Sequence, residues 1–193
     1  MRHRLGQLAP ILARGIDPMR SLLTAAQLVQ RATAGAVLCR GGGIAPLPGL
    51  AEDELLSVGS RVLDAARAMI GDGQVYASFL WPRGGRHAPH GHVRVTTMTS
   101  TDDVSPGLTG MVLLSPTGDL RGLTPREMEV LGLVIDGCSN QEIARELVVA
   151  PRTVAAHLEH ILVKLQASSR TLAAVRAERE GLYVPPTRRQ RAR

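Results

Sequence analysis

The run GCSNQEIARELVVAPRTVAAHLEHILVKL, residues 137–165, decides how the C-terminal part of this 193-residue chain folds. Ser139 stands where an N-cap is needed and Glu142 follows three positions later, the reciprocal pair of a capping box. The helix it opens is short, about two turns, with Ile143, Ala144 and Leu147 on its core face. After Val148-Val149-Ala150, Pro151 suits a first helical position and starts a longer helix that runs to about Gln166. Val154, Leu158, Ile161, Leu162 and Leu165 recur there at i, i+4, i+7, i+8 and i+11, one face of an α-helix. A two-turn helix, a short turn and a longer one-faced helix make a helix-turn-helix arrangement, whose second helix is free to enter a major groove.

Helices flank this pair on both sides. Thr124-Pro125-Arg126-Glu127 combines a cap, a first-turn proline and a capping-box glutamate, and Met128, Leu131, Val134 and Ile135 continue it as an apolar stripe up to Asp136-Gly137. Ser169 caps a last helix over Arg170 to Glu180, which Gly181 ends, with Pro185-Pro186 barring continuation. Residues 123–184 therefore read as an all-α, four-helix domain.

Five blocks of residues are more specific than this pattern. They are L-T-P-R-E-x-E-V-L at 123–131, G-x-S-N-Q-E-I-A at 137–144, R-T-V-x-x-H-L at 152–158, K-L at 164–165 and S-R-T-x-A at 169–173. In this order and spacing they closely resemble the C-terminal DNA-binding domain of LuxR/GerE-type transcriptional regulators, over roughly residues 121–184. The resemblance implies that the third helix, about 151–166, reads DNA and that the fourth helps pair two subunits. By motif, Ala155, Ala156 and Glu159 fall nearest the base edges, while Asn140, Arg152, Thr153, Lys164 and Arg170 are placed for phosphates. Two departures stand out. Family members often carry lysine after the Thr-Val pair, where this chain has Ala155, and Ala150-Pro151 replaces the usual small cap. Alanines suit thymine methyls and Glu159 suits cytosine N4, but no arginine or lysine here offers a bidentate grip on guanine.

Upstream the texture changes. Residues 1–17 read as an N-terminal arm, 18–34 as a helix, Ala36 to Cys39 as a short strand, 41–51 as a loop, and Glu52 to Ile70 as a second helix. Three strand-like runs follow: Gln74 to Trp81, His92 to Thr99 and Gly110 to Ser115. The expected class is thus α+β: a small antiparallel-sheet domain with helices over 18–115, a linker at 116–122, then the helical domain. The first part resembles the later portion of a GAF- or PAS-like sensor, which implies a sensing or dimerisation role and an unknown small-molecule or protein effector. Residues 185–193 read as a basic, disordered tail.

Charge qualifies the DNA reading. Of 23 Lys+Arg only Lys164 is lysine, and residues 121–187 hold 8 basic and 8 acidic side chains, while 188–193 hold 4 arginines. The tail is the basic part, and each of its charges can displace a counterion from DNA. Only four aromatics, Tyr76, Phe79, Trp81 and Tyr183, speak against a stacking surface for single strands. No apolar run is long enough for a membrane helix, so a cytoplasmic protein is expected. Cys39 and Cys138 lie too far apart for a zinc-finger spacing. His87, His90 and His92 form H-x-x-H-x-H without an adjoining acidic or cysteine ligand, and read as a solvated loop with no metal. Gly41-Gly42-Gly43 lacks the context of a phosphate loop. With no nucleophile set in supporting context, neither an enzyme nor a cofactor is expected.

These readings converge on a sequence-specific regulator of transcription that binds double-stranded DNA as a homodimer. The alternative is a protein- or ligand-binding adaptor whose degenerate helix-turn-helix no longer reads DNA, supported by Ala155 and by the neutral segment.

Overall fold

The computed structural model describes residues 32–71, 73–85, 88, 90–99 and 107–186. The expected arm, the helix over 18–34 up to residue 31, His87 and the tail from residue 187 lie outside the described residues. Ala34, expected at the end of that helix, already begins a strand.

Five strands form one sheet: β1 (Ala34–Cys39), β2 (Ile44–Pro46), β3 (Tyr76–Pro82), β4 (His92–Thr99) and β5 (Leu108–Pro116), in the order β2-β1-β5-β4-β3. Strand β1 runs antiparallel to both neighbours, with Val37 opposite Ala45 of β2 and Met111 of β5. Strand β2 corrects the expected loop over 41–51. The Cys39 amide donates to Gly43 O at 2.9 Å across a one-turn 3-10 segment (Arg40–Gly42), which reverses the chain and lays Ile44–Pro46 back along β1.

The expected helix over 52–70 is also shorter than its pattern. Asp53 accepts from the Leu55 amide at 3.0 Å and caps only a 3-10 turn, Glu54–Leu56. Gly59 then takes a left-handed φ of +80°, which interrupts the helix, and α1 runs Arg61–Gly71. Val62, Leu63 and Ala66 of α1 are buried, whereas Val58, before the true start, is 83% exposed.

The helical part contains α2 (Pro125–Ile135), α3 (Asn140–Leu147), α4 (Pro151–Lys164) and α5 (Arg170–Glu180). The fold is therefore α+β, a sheet with helix followed by a four-helix domain. By packing, the described residues divide into two compact units: those up to Tyr76 together with those of Thr97–Ser115, and those of Ala77–Thr96 together with Pro116 to Pro186.

The first unit centres on Val37, Leu47, Met111 and Leu113. Gly35 lies so close to this core that a Cβ would sit 2.7 Å from Leu47 Cδ1 and 2.9 Å from Leu113 Cδ2.

The second unit joins the β3–β4 hairpin to the helices. The Leu80 amide donates to Tyr183 O at 2.8 Å, and the rings of Phe79 and Tyr183 stand 6.5 Å apart. Burial, with the Glu178 charge adding, pushes the Tyr183 phenol up to about 12, so it stays neutral. Gly181 ends α5 at φ +62°, and a Cβ there would meet Arg94 Nη1 at 2.5 Å and Ser78 Oγ at 2.7 Å. Beyond it the Val184 amide donates to Met128 O at 3.1 Å, and a side chain at Gly132 would collide with Val184 O. Packed structure thus continues to Pro185, which is buried.

Candidate nucleic-acid interface

The helix starts follow from their sequence. Thr124 and Ser139 each form a complete capping box, with Glu127 and Glu142 reaching back to the cap amides at 2.7 Å, and Ser169 accepts from the Leu172 amide at 3.2 Å. Helix α4 is the exception. Ala150 supplies no side-chain cap, Pro151 opens the helix, and its first amides are left without a side-chain acceptor.

The carbonyl ends are tied by arginines from other elements. Arg170 donates to Cys138 O, just past α2, and to Asn140 Oδ1 at 2.8 Å. At the end of α3, Arg126 donates to Leu147 O at 2.6 Å while pairing with Glu129 at 2.7 Å. Arg176 reaches Leu165 O at 2.6 Å and Gln166 O at 2.5 Å beyond α4, and Arg94 of β4 reaches Glu180 O at 2.8 Å on α5. Arg126, Arg176 and Arg94 satisfy carbonyls at helix ends and oppose the negative end of the helix dipole, whereas Arg170 ties the loop between α2 and α3 to α5. Much of the domain's basicity is therefore structural.

The turn between α3 and α4 is unusually built. Val148 closes α3 in the left-handed region, φ 55° and ψ 53°, with its side chain 85% exposed. A β-branched residue is disfavoured there. The turn aims α4 so that Val154, Ile161 and the following Leu165 pack inward, all three at 0% exposure. On the opposite side Arg152, Ala156, Glu159 and His160 are exposed, Thr153 and Ala155 half-buried, and Val163 is 77% exposed.

The eight residues expected at DNA fall into two groups. Arg152, Thr153, Ala155, Ala156 and Glu159 lie along one side and the start of α4, and the side chains of Arg152 and Glu159 have no hydrogen bond or ion pair among the described residues. Asn140, Lys164 and Arg170 are engaged within the domain. Arg170 holds Asn140, and Lys164 Nζ donates to both carboxylate oxygens of Glu127, at 3.0 and 2.7 Å. Burial would raise the Glu127 carboxyl, but the hydrogen bond from Lys164, those from Thr124, and the Lys164 charge more than offset it and hold it below its ordinary value of 4.5. Sequence reasoning missed Glu127 as a partner of Lys164, because the two are 37 positions apart and nothing local links them.

Of the histidine motif, His90 is exposed and His92 half-buried in β4, where burial lowers its pKa against the opposing pull of Glu129. No group of three or more metal-ligating side chains occurs among the described residues. No described helix is long and apolar enough to cross a membrane.

Comparison with known proteins places residues 121–177 in the family described as "Bacterial regulatory proteins, luxR family" (GerE). The transcriptional regulatory protein LiaR of Bacillus subtilis is 48% identical over 60 residues, which cover 31% of this chain and 28% of LiaR. The nitrate/nitrite response regulator NarL of Escherichia coli K12 is 40% identical over 65 residues, 34% of this chain and 30% of NarL. This chain thus matches less than a third of the length of these relatives. A solved VqmA dimer of Vibrio cholerae aligns over 86% of this chain and 91% of its own at 19% identity, with a TM-score of 0.37. The match falls on the elements built above, from the turn before α2 into α5, and by it the C-terminal domain of this chain belongs to the luxR family of bacterial regulatory proteins.

Proposed function

We propose that the chain is a sequence-specific transcription regulator that binds double-stranded DNA as a homodimer, with α4 in the major groove. One observation carries this: α4 is packed on one side only, and its other side presents Arg152, Ala156 and Glu159 to solvent. LiaR and NarL, which share the helical domain, are named as regulators, in keeping with the reading.

The roles follow from chemistry. Ala155 and Ala156 offer methyl contacts to thymine, and Glu159 accepts from cytosine N4. Arg152 and Thr153, in the first turn of α4 where no side chain caps the helix, take a phosphate. Asn140 spends its carbonyl on Arg170, which leaves its amide hydrogens for a second phosphate. Arg170 frames that contact. The N-terminal unit serves as the sensor or dimerisation part, setting whether two reading heads meet half-sites related by two-fold symmetry.

Selection of bound fragments from a random duplex pool by the full chain tests this. Arg152→Ala is expected to weaken binding to all sequences and lower the salt slope by about one. Glu159→Ala relaxes preference at particular base pairs, by about 1–3 kcal/mol. If the full chain enriches no duplex at low salt, the proposal fails and the adaptor reading, favoured by the neutral segment and the engaged cations, takes its place.

A further inference from the structure

Arginine occurs 22 times in this chain and lysine once. Such a bias makes the single exception informative, since it marks a place that arginine does not serve. Lys164 ends α4, and its ammonium sits 3.0 and 2.7 Å from the two oxygens of Glu127, whose side chain is 2% exposed against 30% for the lysine. Glu127 Oε2 also accepts from the Thr124 amide at 2.7 Å, as the third residue of the α2 capping box. One buried carboxylate therefore joins the first turn of α2 to the last turn of α4. A compact ammonium fits an acceptor already turned toward a backbone amide, whereas a planar guanidinium needs the broad side of a carboxylate free.

We propose that Lys164 is a positioning residue, which touches no phosphate and instead fixes the rotation and tilt of α4 on α2, and through them the register of Ala156 and Glu159 on base edges. The inference rests on α4 being the DNA reader. Glu159 lies five residues before Lys164, about 7.5 Å along the axis, so a helix released at its last turn pivots on Val154 and Ile161 and moves its reading side. Arg176 holds the carbonyls beyond α4 independently, so loss of the ion pair loosens the helix without unravelling its end. His160, with Nδ1 4.0 Å from Glu127 Oε1 and 69% exposed, is the other basic group near the carboxylate.

The lone lysine makes a direct test possible, because an amine-reactive reagent labels only Lys164 and the chain's α-amine, which peptide mass spectrometry separates. In the 193-residue chain Lys164 is expected to label slowly, at the same rate with and without the duplex selected by the wild type. Protection of Lys164 by that duplex would overturn the inference, because a phosphate contact is shielded by DNA. Two variants supply an independent reading. Lys164→Met is expected to lower the preference for the selected over a scrambled duplex roughly tenfold with an unchanged salt slope, and Lys164→Arg, which keeps the charge, to lower it similarly. A slope reduced by about one in Lys164→Met, or a preference intact in both variants, defeats the positioning role. A wild type that binds no duplex defeats the DNA reading itself and this inference with it, an outcome visible before any variant is made.

Discussion

Helices α2, α3 and α5 begin on Thr124, Ser139 and Ser169, whose hydroxyls hold the first turn, whereas α4 begins on Ala150, which offers only its carbonyl, to the Thr153 amide at 2.9 Å. The three capped helices carry their own definition. Helix α4 is defined from outside, by Val154 and Ile161 in the core, by Lys164 on Glu127, and by Arg176 at the carbonyls beyond its end. The contrast has a functional sense. Pro151 has no amide hydrogen and the Thr153 amide donates to Ala150 O at 2.9 Å, so under the proposed function a phosphate on Arg152 and Thr153 would supply the anion that a capping side chain supplies elsewhere.

The largest way to break this arrangement is Glu127→Ala. It removes the box of α2 and strands Lys164, and about 3 kcal/mol of stability is expected to go in urea unfolding. The same group sets an acid limit. Its folded pKa lies below the unfolded one, so its contribution is complete above the ordinary glutamate value of 4.5 and fades as pH falls through the lower, folded value. Glu127→Gln is expected to flatten stability across that range, and a wild-type curve already flat there would contradict the ion pair.

A smaller change acts on the turn that aims α4. Val148 pays for a left-handed backbone with an exposed side chain, and Val148→Gly is expected to raise the thermal midpoint by an amount equivalent to about 1 kcal/mol. The smallest change sharpens the contrast itself. Ala150→Ser gives α4 the cap its neighbours have, and is expected to stabilise the fold by about 0.5–1 kcal/mol while weakening duplex binding. A serine variant that gained both stability and affinity would show that the start of α4 does not meet phosphate.

Local chemistry was legible and long-range chemistry was not. Thr124, Ser139 and Ser169 announced their helices because a cap acts within three residues, and Arg170–Glu180 and His92–Thr99 have the expected bounds. The stretch 52–70 deceived, since apolar spacing continues through Ser57-Val58-Gly59-Ser60 while the backbone turns at Gly59. Strand β2, three residues ending in proline, has too little pattern to announce itself and exists through its pairing with β1. In the candidate site the outward side of α4 could be read from periodicity. The engagement of Lys164 and Arg170 could not, because each depends on a partner brought in by folding.

The grouping of the β3–β4 hairpin with the helices bears on how the protein comes apart. The chain passes between its two units at three places, after Tyr76, Thr96 and Ser115, and a proteolytic cut within 116–122 severs only the last strand of that weave. The C-terminal piece remains seated on the hairpin through Leu80 on Tyr183 O and Arg94 on Glu180 O, with Gly181 pressed under both strands. A nicked chain would therefore migrate as one particle until denaturant parts it. A graft taking only residues from 123 onward would carry α4 away with the end of α5 stripped of its arginine.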